Sequence, residues 1–184
     1  MWNKGLSYRE RHGLIEKDTN TELNDDVNST IDKAKYHHSL GLVFFPAFDW
    51  KISETHPERQ ERLLYTRDQI VEEGLLDIPN IREYNPIVAD WDTIERVHVG
   101  APNLEFWVTE AHRVSAGGAI AAADAVIRGE VDRAFALVRP PGHHAMAMVH
   151  GIRGFCTINI EAVMIQHIRQ IYGIKRVAVV DTDV

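Results

Sequence analysis

The chain has 184 residues, of which 45% are apolar, 26% charged and 8% aromatic. That is enough apolar chain for one domain with a sizeable core, and it excludes wholesale disorder. A net charge of −7 argues against nucleic acid as the main partner, because neutralising phosphates takes clustered Lys and Arg.

Every strongly apolar run is far shorter than the ~20 residues of a membrane span, so no membrane partner is expected. The first 16 residues carry charges throughout and have no apolar stretch of the kind a signal peptide needs. Cys156 is the single cysteine, which rules out an internal disulfide framework and makes a reducing, cytoplasmic setting the expectation.

Residues 1–39 read as a polar N-terminal extension, with Asn, Asp, Thr and Ser clustered between positions 18 and 32. From residue 40 the texture changes. The apolar run 42–45, ended by Pro46, predicts a buried strand. Residues 57–74 predict a charged amphipathic helix stopped by Gly74, and 87–98 a second helix capped by Asp90 or Asp92. Two helical segments follow, at 103–114 and 115–128. The stretch from Ala116 to Ala123 has so little side-chain bulk that close packing against a sheet is expected.

The last third holds the chemistry. Residues 133–138 predict a short strand running directly into Arg139-Pro140-Pro141-Gly142-His143-His144. Asn159 is placed to cap a helix whose apolar positions Val163, Met164, Ile168 and Ile171 recur at a helical period, with Gly173 as its stop. Residues 176–180 predict a second buried strand ending in Asp181-Thr182-Asp183-Val184. Strand, helix and strand of these lengths predict a βαβ unit in a parallel sheet.

Ligands of open α/β sheets bind beyond the carboxyl ends of the strands. Both loaded segments sit at such ends, one presenting adjacent histidines and the other two carboxylates two residues apart. The chemistry this suggests is metal-assisted hydrolysis, with a carboxylate holding a divalent ion and a histidine moving a proton. Plainer readings stand beside it. A His-His pair also occurs at His37-His38 with no role assigned, and Asp-x-Asp at a strand end is often a turn or cap. Cys156 reads as a small buried hydrophobe rather than a nucleophile. No GxSxG, GxGxxG, phosphate loop or HExxH is present.

Arg139-Pro140-Pro141-Gly142-His143-His144-Ala145, with Gly154-Phe155-Cys156 and Val179-Val180-Asp181-Thr182-Asp183-Val184, resembles the zinc-dependent histone deacetylase and acetylpolyamine amidohydrolase superfamily. His56-Pro57-Glu58-Arg59-Gln60-Glu61-Arg62-Leu63 resembles its HPERPERL element, with Gln60 replacing proline. Val97-His98 and Ala116-Gly117-Gly118-Ala119 fall where that superfamily has similar stretches. Ile158-Asn159-Ile160 departs from its usual Phe-Asn-Asn. The match runs from about Leu42 to Val184.

The resemblance implies an α/β, arginase-like three-layer fold with a central parallel sheet, residues 40–184 being the N-terminal half of the domain. It implies that His144 is the general base toward zinc-bound water and that His143 supports the transition state electrostatically. Asp181 would orient His143 and contribute to a potassium site, and Asp183 would be a zinc ligand. Phe155 would wall a tunnel for an acyl-lysine-like chain, Gly154 would contact the substrate amide, and Arg62, with Cys156 nearby, would lie at the pocket foot. The implied reaction is hydrolysis of an acetylated amine of the acetyl-lysine or acetylpolyamine type. The superfamily's second and third zinc ligands and its tyrosine would follow Val184. The expectation is therefore a piece that is inactive alone, with the sheet ending after the strand that reaches Asp183. It would be completed by a C-terminal fragment or by association with further copies, or else serve as a non-catalytic interaction module.

Overall fold

The computed structural model describes residues 38–99 and 103–183, so the extension up to residue 37 lies outside the described residues. In chain order the elements are β1 (Leu40–Phe45), α1 (Gln60–Glu72), a 3₁₀ turn (Leu75–Asp77), β2 (Ile81–Tyr84), α2 (Trp91–Val97), α3 (Leu104–Trp107), α4 (Glu110–Ile127), β3 (Arg133–Val138) and α5 (Ile160–Tyr172). The strands form one sheet in the order β2-β1-β3. Both pairings are parallel, running from Leu40↔Ile81 to Val43↔Tyr84 and from Leu40↔Arg133 to Phe45↔Val138.

β1 is the central strand, which explains its unbroken apolar run. Leu42 and Val43 point to opposite faces and both are buried, as expected of a strand covered on two sides. β2 is an edge strand whose Ile-Arg-Glu-Tyr sequence carries too little apolar periodicity to stand out in the chain.

α4 packs on β1 and β3, as its small residues predict. A Cβ on Gly118 would meet Val138 Cγ1 at 2.7 Å, and one on Gly117 would meet the Ile87 carbonyl oxygen at 1.9 Å. The expected helix boundary at 114–115 falls instead at 108–109. Val108 is extended, and Thr109 starts α4 with a reciprocal capping box to His112, whereas Val114-Ser115 offers no cap to end a helix. α2 begins at Trp91, with Asp90 accepting the Thr93 N–H at 2.7 Å. α5 is capped by Asn159, which accepts the Ala162 N–H at 2.8 Å, and ends on left-handed Gly173. Ile94, Ile120, Ile158 and Val163 join α2, α4 and α5 in one core. Ile171, expected on the buried stripe of α5, is exposed.

A third expectation fails as well. Residues 176–180 are not a buried strand. Among the described residues, no ladder pairs them with β3 or any other strand. Val177, Val179 and Val180 are 41%, 60% and 85% exposed. A β-branched run supplies strand propensity, but a strand exists only where a neighbour supplies its hydrogen bonds and a layer covers its side chains. The βαβ unit is therefore not closed by this segment. No described helix is long and apolar enough to cross a membrane.

Candidate functional site

The carboxyl end of β3 delivers the chain to Arg139, which is 1% exposed. Its guanidinium donates to both carboxylate oxygens of buried Glu58, at 3.1 and 2.7 Å. It also donates to the carbonyls of Pro46, Ala47 and Trp50 at 2.8, 2.7 and 3.1 Å, and it lies over the Trp50 ring. One side chain thus ties the loop after β1, the segment before α1 and the turn carrying the histidines. Neither Glu58 nor Arg139 is identifiable as a pair in the sequence, because 81 residues separate them.

The turn itself is packed without slack. A Cβ on Gly142 would lie 2.3 Å from the Ile160 backbone nitrogen, and the Pro140 carbonyl accepts a hydrogen bond from Ser115 Oγ at 2.7 Å. The loop from Ala145 to Ile158 is pinned by His98, which is 2% exposed. His98 Nε2 accepts the Asn159 N–H at 3.0 Å, so Nδ1 carries the proton and donates to the Met146 carbonyl at 2.9 Å. Burial pushes the His98 pKa down, consistent with this neutral, structural role.

His143, His144, Gly154, Phe155, Arg62 and Asp183 line one pocket of about 670 Å³, together with Glu58 and Glu161. The two imidazoles lie 4.0 Å apart between centroids. Asp181 Oδ2 is 2.7 Å from His143 Nδ1. Asp183 Oδ2 is 3.1 Å from His143 Nε2 and 3.7 Å from His144 Nε2. The His pair and the Asp pair therefore meet over one crevice, although no strand carries the aspartates. Asp183 N–H donates to Asp181 Oδ1 at 3.1 Å. This bond and the contact with His143 hold the Asp181 pKa down, and the Asp181 hydrogen bond, opposed in part by burial, raises that of His143.

Gly154 and Phe155 both have positive φ, 50° and 69°. A Cβ on Gly154 would sit 2.1 Å from His144 Cδ2, so glycine is required for the imidazole to lie where it does. Phe155 meets the His56 ring edge-on at 4.5 Å and is 43% exposed, forming one wall. Arg62 donates to Glu58 Oε1 at 3.2 Å. Cys156 is fully buried, outside the pocket lining. Its thiol donates to the Gly154 carbonyl at 3.3 Å, and burial pushes its pKa up to about 11. Glu161, absent from the sequence reading, has a buried Oε2 with no hydrogen-bond partner and a pKa raised by burial.

One ligand atom each from His143, His144 and Asp183 lie within 4.8 Å of one another, the one such group among the described residues. Two nitrogen donors and an anionic oxygen suit a borderline divalent ion such as zinc.

The family description "Histone deacetylase domain" matches residues 104–184. A "Probable deacetylase" of Archaeoglobus fulgidus is 35% identical over 162 residues, covering 78% of this chain and 44% of the relative. Human "Polyamine deacetylase HDAC10" is 30% identical over 158 residues, covering 73% of this chain and 23% of the relative. A crystal structure of the HDA15 HD domain superposes with a TM-score of 0.59 at 26% identity, covering 74% of this chain and 44% of that one. The chain spans less than half the length of each of these proteins.

Proposed function

Given that this chain spans the N-terminal part of the histone deacetylase family, with its α/β fold on a parallel sheet, we propose that it contributes the proton-transfer side of a hydrolytic site for acetylated amines. The carrying observation is the meeting of His143 and His144 with Asp181 and Asp183 at one pocket.

In this reading His144, whose side chain is 48% exposed at the pocket, takes a proton from the attacking water and returns it to the leaving amine. His143 is held by Asp181 in a fixed orientation and kept protonated to higher pH, so it stabilises negative charge developing on the scissile carbonyl oxygen. Phe155 flanks the alkyl chain of the substrate, Gly154 leaves room for His144, and Arg62 lines the pocket. Asp183 is a metal ligand, joined by donors from outside these residues. Zinc, when bound, supplies Lewis-acid polarisation and a lowered water pKa.

The assay is acetate release from an acetyl-lysine peptide and from an acetylated polyamine. It is run on the chain alone and with the C-terminal part of the Archaeoglobus relative supplied in trans or fused. An active preparation should lose roughly 10²–10⁴-fold in kcat in His144→Ala. Unchanged turnover would remove His144 from the base role, and no hydrolysis of either substrate would count against the reading as a whole.

A further inference from the structure

We propose a second ligand site, separate from the histidine pocket: the cavity behind the 145–153 loop binds a small organic monocarboxylate with a short hydrocarbon tail. Arg153 and Thr157 hold its head group, and Met146, Met148 and Ile152 cover its tail.

The cavity is about 260 Å³ and is bordered by residues 145–153, Ala147 excepted, and by Thr157. It shares no lining residue with the histidine pocket. At that size, just below the ~300–1,000 Å³ that takes drug-sized molecules, it suits a small ligand. Its rim is held in place from three sides. The Met146 carbonyl is bonded to His98 Nδ1 at 2.9 Å. Gly151, at φ 108°, lies close under Trp107, where a Cβ would meet Cζ3 at 3.4 Å. Arg153 and Cys156 exchange two backbone hydrogen bonds, both of 2.8 Å.

Three observations give the chemistry of the ligand. The first is charge. Arg153 and His150 line the cavity and no carboxylate does, in a chain whose net charge is −7. Among the described residues the Arg153 guanidinium donates only to Met146 Sδ, at 2.9 Å. A thioether is a weak acceptor, whereas a carboxylate takes two parallel guanidinium hydrogen bonds. The second is a surplus of donors. Thr157 is 2% exposed, and its buried Oγ1 has no hydrogen-bond partner, an arrangement that costs stability until something bonds the hydroxyl. The backbone N–H groups of residues 148–152 also donate to no acceptor among the described residues. The third is the wall around those donors. Met146, Met148 and Ile152 are exposed at the cavity, while Val149 is buried in the core beneath. A bare inorganic anion leaves that apolar surface in water, and a hydrocarbon tail covers it, with adaptable methionines to fit its shape.

The test is titration of the whole chain with hexanoate, followed by methyl NMR of Thr157 and the methionines. Expected is saturable binding that shifts the Thr157, Met146 and Met148 signals together. Arg153→Gln should weaken it about 10–100-fold, the range of a charge-assisted hydrogen bond. Thr157→Val keeps the shape, removes the unpartnered hydroxyl, and should weaken binding about 3–10-fold in a chain that remains folded. Arg133→Gln, at an exposed arginine of β3, should change nothing. Hexanamide lacks the charge and inorganic phosphate lacks the tail, so each should bind about 10-fold more weakly or worse. No saturable hexanoate binding overturns the proposal, as does equal affinity for hexanamide or for phosphate. Signals that move only at His143 and His144 overturn it too, by placing hexanoate in the other pocket. So does full affinity in both Arg153→Gln and Thr157→Val. The deacylation reading is untouched by any of these results, because it rests on acetate release and on different residues.

Discussion

Replacing Glu58 with Gln removes the one anionic partner of a guanidinium that is 1% exposed. The substitution keeps the shape and one acceptor oxygen, so the three carbonyl contacts of Arg139 to Pro46, Ala47 and Trp50 remain to share the charge. Removing one member of a buried pair costs about 3–5 kcal/mol, and a hydrogen bond to a charged group contributes about 1.5–3 kcal/mol. With the carbonyls retained, the expected loss for Glu58→Gln is about 3 kcal/mol. Arg139→Met should cost at least as much. It strips those carbonyls of their donor and leaves Glu58 with only exposed Arg62 at 3.2 Å. The double variant should be less destabilised than the sum, since each single change strands the other partner. Urea unfolding followed by far-UV circular dichroism and by tryptophan fluorescence measures all three, and Trp50 stacks on the guanidinium. A loss below about 1 kcal/mol for Glu58→Gln, or strict additivity in the cycle, would refute the view that this pair ties the histidine turn to the rest of the fold.

Three further outcomes follow from the same geometry. His112 is 1% exposed, its Nδ1 accepts the Thr109 N–H, and burial lowers its pKa to about 4. The unfolded chain therefore takes up the proton first. This contribution to stability is complete above pH ~6.5 and falls away as the pH drops toward 4, by about 2 kcal/mol at pH 5. Urea midpoints across that range should flatten in His112→Gln, and an unchanged slope would contradict the assignment. Gly154→Ala should cost about 1–2 kcal/mol from its positive φ and displace the His144 ring, read as a changed imidazole NMR signal; an unmoved signal would show that the contact is not tight. Cys156, with its thiol near 11, should react with iodoacetamide at pH 8 about 100-fold more slowly folded than in urea. Comparable rates would show an accessible thiolate.

Much of the site is written locally. Pro-Pro-Gly before His143, the Asn159 cap, the Gly173 stop and the small residues of α4 act through neighbours a few positions away, so the sequence alone predicted β1, β3, α5 and the close seat of α4 on the sheet. It also expected the histidine and aspartate pairs to meet over one crevice, but through a strand at 176–180 that does not form. What it could not carry were relations that depend on distant partners. Residues 176–180 have the composition of a buried strand yet remain exposed, because strand identity is a property of pairing and cover, and no described neighbour supplies either. Glu58 and Arg139 are ordinary charged residues in the chain. Only the fold desolvates them together, and only in a desolvated setting does a charge need its partner. His98 and Glu161 likewise take their roles from the groups packed around them. Local sequence determined the turn, cap and helix that present the histidines. The tertiary structure decided which side chains are buried, which are paired, and hence which carry charge.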